Sequence, residues 1–248
     1  MNAEAVVEYL VDWLRQKVAE AGASGVVLGV SGGVDSAVAA IIAKKAFPDD
    51  CLALLLPCES HISDLVDSQV LVERFNIPYR IIELDNAFNL LSLQLESYIK
   101  LEGIKGKLLR ANIKPRLRML TLYYSAQGRN YLVVGTSNKS EISVGYATKY
   151  GDTGVDVQIL GDLLKSEVYE LARYLGVPSR IMNRPPSGGL WEGQTDEGEM
   201  GITYDELEQY INNGSGRPEI VEKIKTMEQK SRHKRELVPI AFVQRLQD

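Results

Sequence analysis

Gly29-Val30-Ser31-Gly32-Gly33-Val34-Asp35-Ser36 ends an apolar, strand-like run that begins at Gly25, and it opens onto a helical pattern from Ala37 to Phe47. A strand, a glycine turn and a helix N-terminus together form an anion site. The glycines let backbone N–H groups approach a phosphate, and the helix end adds roughly half a positive charge. Ser31 and Ser36 offer hydroxyl donors. Asp35 offers a carboxylate, which repels phosphate unless a cation stands between them, so the segment points to Mg²⁺ and a polyphosphate. Serine and aspartate here also read as ordinary helix caps.

The string lacks the Gly-Lys-Ser/Thr ending of a P-loop and the Gly-x-Gly-x-x-Gly spacing of a dinucleotide fold. Ser-Gly-Gly-Val-Asp-Ser instead resembles the pyrophosphate loop of the ATP pyrophosphatases, which cleave ATP between its α and β phosphates. Outward from the loop, strands and helices alternate. Cys51–Leu56 is a solid apolar run suited to a strand covered on both faces, and Tyr79–Leu84 and Tyr131–Gly135 read as further strands. Helical patterns cover Ala3–Ala21, Asp64–Phe75, Asn86–Ile99, Pro115–Gln127, Lys165–Leu175, Tyr204–Asn212 and Pro218–Arg232. This alternation predicts an α/β fold: a doubly wound, mostly parallel sheet with helices on both faces and extra C-terminal helices. Ligands of such sheets bind beyond the carboxyl ends of the strands, where the chain order reverses. The glycine loop and the segment after Gly135 both lie at such ends.

Composition narrows the function. The 248 residues, 45% hydrophobic and 25% charged, suit one large α/β domain over residues 1–248. No run approaches the roughly 20 apolar residues of a membrane span, and acidic Glu4, Glu8 and Asp12 make the N-terminus a structural helix rather than a signal peptide. Cytoplasmic residence and no membrane partner are expected. Cys51 and Cys58 form no disulfide framework, and no Cys/His set has zinc spacing. A net charge of −5 argues against a nucleic-acid partner, because the basic runs Lys223–Lys225 and Lys230–Arg235 are short.

Two stretches break the alternation. Leu101–Ala111 is basic and glycine-punctuated, which reads as a mobile segment. Arg184–Gly201, dense in Pro, Gly and acidic residues, is long enough for a lid or partner-contact loop. A second constellation follows the strand at Gly135. Thr136 comes first, and Glu141 stands five residues after it as a candidate second metal ligand beside Asp35, with a helix-start glutamate as the plain alternative. The polar segment Gly145–Asp156 then concentrates Lys149, Asp152 and Asp156, and Lys165 opens the next helix, where the macrodipole disfavours a cation unless a phosphate lies near. Arg116 is a candidate clamp for a carboxylate or phosphate, whereas Arg118 reads as solvated helix surface.

With these pieces in order the chain resembles the ammonia-dependent NAD⁺ synthetases, on the adenine nucleotide alpha hydrolase-like fold. The resemblance rests on the glycine loop, Arg-x-Arg-Met at 116–119, Gly-Thr-x-x-x-x-Glu at 135–141, Thr-Lys-Tyr-Gly-Asp at 148–152, and Lys165. It continues through Pro-Ser-x-x-Leu-Trp at 186–191, Gly-Gln-Thr-Asp-Glu at 193–197 and His-Lys-Arg at 233–235. Gly188-Gly189 and Thr136-Ser137-Asn138 depart from the residues more usual there. What it implies is ATP-dependent amidation of deamido-NAD⁺ to NAD⁺ by ammonia, through an adenylated intermediate, with release of pyrophosphate and AMP.

Residue by residue, the resemblance implies that Gly29, Val30, Ser31, Gly32, Gly33, Val34, Asp35 and Ser36 hold ATP phosphates, with Thr136, Lys165 and Ser187 also on ATP. Asp35 and Glu141 would be Mg²⁺ ligands. Arg116, Lys149, Asp156, His233 and Lys234 would bind deamido-NAD⁺, although His233 in a charged helix otherwise reads as solvated. A homodimer with the dinucleotide near the subunit interface is also implied. A glutaminase needs a nucleophilic cysteine with a base, on a further domain. Cys51 sits in a strand pattern and the only histidines are His61 and His233, so free ammonia is the expected nitrogen donor and a separate glutaminase partner is not indicated. The rival readings are another adenylating enzyme of the pyrophosphate-loop group and a non-catalytic adenine-nucleotide-binding module.

Overall fold

A computed structural model of the chain describes residues 1–99, 102–191 and 193–243. Its elements run α1 (Ala3–Glu20), β1 (Gly25–Gly29), α2 (Val34–Ala46), β2 (Cys51–Leu55), α3 (Ile62–Arg74) and β3 (Tyr79–Ile81). They continue with α4 (Asp85–Tyr98), α5 (Gly103–Ala111), α6 (Ile113–Arg129), β4 (Tyr131–Gly135), α7 (Lys139–Val144) and β5 (Val157–Gln158). Then come α8 (Lys165–Leu175), α9 (Ser179–Met182), α10 (Asp196–Met200), α11 (Tyr204–Asn213) and α12 (Pro218–Ser231).

The five strands order as β3-β2-β1-β4-β5, all parallel. The expected doubly wound sheet is present. The chain steps outward from β1 to β2 and β3, then returns across the sheet to place β4 on the other side of β1. That reversal opens a crevice above the carboxyl ends of β1 and β4.

One face carries α1, α2 and α8. Helix α2 is buried nearly all round, and its Ala37, Ala39, Ala40 and Ala43 let the neighbouring helices approach closely. The other face carries α4 and α6 over Val27, Leu54 and Val133, with Phe88 fully buried among them. A third cluster joins α7 to α11 and α12 through Val144, Met200, Leu207 and Ile224, which makes the expected C-terminal helices an extension of the main body. No helix among the described residues is long and apolar enough to cross a membrane.

Four local features differ from the sequence reading or add to it. Residues 103–111 of the segment read as mobile form helix α5, whose Ile104, Leu108 and Ala111 follow helical spacing and whose end packs on α6; Leu101 lies outside the described residues. Strand β5 was not foreseen, because two residues give no periodicity to read. The lid-like stretch carries the short helix α10, begun by Thr195 accepting from Gly198 N–H; Glu192 lies outside the described residues. Helix α2 begins at Val34, so Asp35 and Ser36 belong to its first turn.

Phe88 also lies beneath two cations, 4.6 Å from the Arg110 guanidinium and 5.2 Å from the Lys114 ammonium. Replacing it with alanine empties that volume and removes the ring from both. Phe88→Ala is expected to lower stability by about 3–5 kcal/mol, read as a fall in the urea midpoint.

Candidate active site

The glycine-serine turn after β1 is built by its own hydroxyls. Ser36 Oγ accepts from Ser31 N–H (3.1 Å) and donates to Gly33 O (3.0 Å), and Gly33 N–H donates to Ser31 Oγ (3.3 Å). Gly32 adopts φ +82°, and a Cβ there would stand 2.7 Å from Asp64 O. Only glycine fits that approach without displacing the start of α3.

Asp35 in the first turn of α2 and Glu141 in the first turn of α7 face each other across the β1–β4 reversal. Asn138 ties them together. Its Nδ2 donates to Asp35 Oδ1 (2.9 Å), its backbone N–H donates to Glu141 Oε2 (3.3 Å), and its Oδ1 accepts from Glu141 N–H (3.0 Å). The helix-start reading of Glu141 holds, since it completes a capping box, and the same side chain also lines the cavity.

The remaining oxygens of the two carboxylates converge on one cation. Lys165 Nζ donates to Asp35 Oδ2 (2.6 Å) and to Glu141 Oε1 (3.2 Å), and its side chain is 4% exposed. Burial pushes the Glu141 carboxyl up to about 7, with Asp35 and Asp196 adding to the rise and Lys165 opposing it. Burial disfavours the Lys165 charge, but Asp35 and Glu141 outweigh it and hold the ammonium protonated well above its ordinary range. No group of three or more His, Cys, Asp or Glu side chains with metal-holding geometry occurs among the described residues. Two converging carboxylates do fit an octahedral ion that takes its other ligands from phosphates and water, and a cation already stands between them.

These groups open onto a cavity of about 670 Å³. Gly29–Ser31 and Gly33–Ser36 line it, as do Thr136, Lys165 and Ser187. So do Arg116, Lys149, His233 and Lys234, which come from three distant stretches of sequence. Arg116 donates to Lys149 O (3.2 Å), Lys149 Nζ lies 3.3 Å from His233 Nδ1, and Lys234 Nζ donates to Gly145 O and Ala147 O. Asp156 is the exception. It is absent from the lining, and its carboxylate accepts from Tyr123 OH (3.0 Å) and Val133 N–H (2.8 Å).

Arg118 is a correction. Its side chain lines the cavity, donating to Leu56 O (3.1 Å) and Ser60 Oγ (3.2 Å), and burial lowers its pKa. It anchors the end of β2 instead of being solvated. Sequence reading also missed Lys114, 4% exposed, whose Nζ donates to Leu190 O (3.0 Å) and pairs with Glu59 (3.2 Å). Beside it the Lys107 ammonium stands 4.9 Å from the Trp191 ring. At its other end the same loop is tied to α3 by Arg184, which pairs with Asp64 and Asp67. The loop from Arg184 to Trp191 is thus held on both sides of the cavity.

A further layer was also unforeseen. Tyr204 OH donates to Asp196 Oδ2 (2.9 Å) and approaches Glu141 Oε1 at 3.3 Å, while Glu199 accepts from Tyr146 OH (2.9 Å) and Gln194 Nε2 (2.7 Å). The acidic Asp196-Glu197-Gly-Glu199 string was visible, but nothing local marks which of its carboxylates turns inward. Cys51 and Cys58 are free and buried, and burial pushes the Cys51 thiol up to about 12, which removes it as a nucleophile.

A parallel α/β sheet with a glycine-serine phosphate turn at its reversal, facing a cavity with paired carboxylates, defines a nucleotide-binding protein of the doubly wound class. Residues 6–238 match the family model for NAD synthase. The NH₃-dependent NAD⁺ synthetase of Syntrophomonas wolfei is 71% identical over 243 residues, covering 98% of each chain. An NMN synthetase from Francisella tularensis superposes with a TM-score of 0.91 at 37% identity, covering 97% of this chain and 99% of that one. The NH₃-dependent NAD synthetase of Campylobacter jejuni gives 0.80 at 30% identity, covering 98% and 100%. The chain belongs to the NAD synthase family.

Gly32→Ala forces a Cβ against Asp64 O in a left-handed backbone, at a strain of about 1–3 kcal/mol. The turn is expected to open and ATP affinity to fall about tenfold or more, read by isothermal titration, with the circular dichroism spectrum retained.

Proposed function

We propose that the chain amidates the nicotinate carboxylate of deamido-NAD⁺ with free ammonia at the expense of ATP, as a C–N ligase. The observation that carries this reading is the Asp35–Lys165–Glu141 cluster beside the phosphate turn, in a protein 71% identical to a synthetase of that name.

The nicotinate carboxylate oxygen attacks the α-phosphorus, the bond to the β-phosphate oxygen breaks, and pyrophosphate leaves. Ammonia then attacks the activated carbonyl carbon, and AMP leaves as the amide forms. The substrate supplies its own nucleophile, so the chain's contribution is orientation and charge neutralisation. The N–H groups and hydroxyls of residues 29–36 hold the phosphates, joined by Thr136 and Ser187. Lys165 offsets phosphate charge. Arg116, Lys149, His233 and Lys234 form the basic wall that receives deamido-NAD⁺. Asp35 and Glu141 would hold Mg²⁺, which would supply charge neutralisation and a template for the phosphates.

The chain works as one NAD synthase unit over residues 1–248, in the cytoplasm. It pairs with a second copy through α4–α6. Those helices leave an apolar face bare, with Leu93 69%, Tyr98 84%, Ile104 79% and Tyr124 82% exposed. Asp156, beside Tyr123 on the same helix as Tyr124, would reach the dinucleotide where two copies meet.

The first test supplies deamido-NAD⁺, ATP, Mg²⁺ and ammonium chloride, and follows NAD⁺ and pyrophosphate together. Equal yields are expected. Folded, ATP-binding protein that forms neither product overturns the reading. A parallel reaction with nicotinate mononucleotide tests a second reading, favoured by the likeness to the Francisella NMN synthetase: faster turnover of the mononucleotide would make that the substrate. Asp35→Asn is expected to cut turnover about 100-fold or more, and wild-type turnover in that variant removes Asp35 from the metal site. Light scattering should give twice the 27.5 kDa chain mass, falling toward the single-chain value in Ile104→Glu; wild-type protein at the single-chain mass rejects the pairing.

A further inference from the structure

Each carboxylate of the Asp35–Glu141 pair commits one oxygen to Asn138. The other oxygens both bond the same atom, Lys165 Nζ, at 2.6 and 3.2 Å, and Glu141 Oε1 also lies 3.3 Å from Tyr204 OH. The ammonium reaches this place from an unfavourable position, the first residue of α8, where the helix dipole opposes a positive charge. Its side chain is 4% exposed, and the Tyr204 ring centroid lies 5.1 Å from Nζ. A lysine so placed engages the two oxygens that Asp35 and Glu141 would offer to a metal.

We infer that Lys165 is an internal counter-ion to Asp35 and Glu141, and that a divalent metal and the Lys165 ammonium compete for Asp35 Oδ2 and Glu141 Oε1. The inference rests on the proposed role of those two carboxylates as metal ligands. Two cations sharing two buried oxygens repel one another, so the metal enters only when Lys165 has another anion to neutralise. The phosphates of ATP provide it from the adjoining turn. Metal alone therefore binds poorly, metal and nucleotide load together, and each raises the affinity for the other. The same ammonium keeps the two carboxylates from facing each other unpaired.

Manganese binding without nucleotide, followed by loss of the free Mn²⁺ resonance signal, tests this in wild type, Lys165→Met and Lys165→Met/Asp35→Asn. Lys165→Met is expected to bind Mn²⁺ about tenfold or more tightly than wild type, within the usual range of coupling, and the double variant is expected to lose that gain. Equal binding by wild type and Lys165→Met overturns the inference. A gain that survives Asp35→Asn instead overturns Asp35 as a ligand, which separates the two failures. Should Lys165→Met fail to fold, the lysine ammonium NMR signals of wild type decide. The Lys165 signal is expected to stay in place with millimolar Mg²⁺ and to move when α,β-methylene-ATP is added with it. A signal that moves with Mg²⁺ alone, or stays fixed with both, rejects the inference.

Discussion

The parallel pairing of β1 with β2 on one side and β4 on the other constrains everything at the cavity. Val26 registers with Cys51 on one neighbour and with Leu132 on the other, so the strand is fixed along both edges. Its carboxyl end delivers the phosphate turn, and the carboxyl end of β4 delivers Thr136 through Glu141. Two loops separated by a hundred residues thereby share one crevice without a long connection between them. The alanine-rich α2 presses on the sheet behind the turn, so Asp35 rides on a helix that has no room to shift.

On that frame the site is organised around charges that no water can screen freely. Asn138 sets the spacing of Asp35 and Glu141 with side-chain and backbone bonds at once, and Tyr204 reaches the same cluster from the C-terminal helices. Polar groups this deep hold position only while every partner is present. The cavity's basic side is different in kind: Arg116 donates to the Lys149 backbone carbonyl and Lys149 Nζ meets His233 Nδ1, both at the exposed rim.

The layering was legible because it depends on local chemistry. Cys51–Leu56 reads as a buried strand on its own, and the Ser-Gly-Gly-Val-Asp-Ser string marks the turn from a strand into a helix. Glu141 was legible too, since the spacing from Gly135 puts it in the first turn after a strand end. What stayed hidden depends on contacts across the fold. Arg118 looks like a surface residue until the end of β2 arrives to take its guanidinium. Lys114 acquires meaning only when Leu190, far along the chain, comes to its ammonium. Strand β5 is made by its neighbour β4 more than by its own two residues. The segment 103–111 was misread because its glycines and lysines outweigh, by eye, a stripe of three apolar positions.

Glu141 belongs to two structures at once. One oxygen of its carboxylate closes the start of α7, while the other faces the cluster, and α7 is joined through Val144 to α11 and α12. Helix α12 runs directly into the turn that holds His233 and Lys234. The paired carboxylates and the basic wall are therefore joined by continuous packed structure, from the first turn of α7 through α12 to Lys234. The chain has, in effect, a tendon running from one side of its cavity to the other.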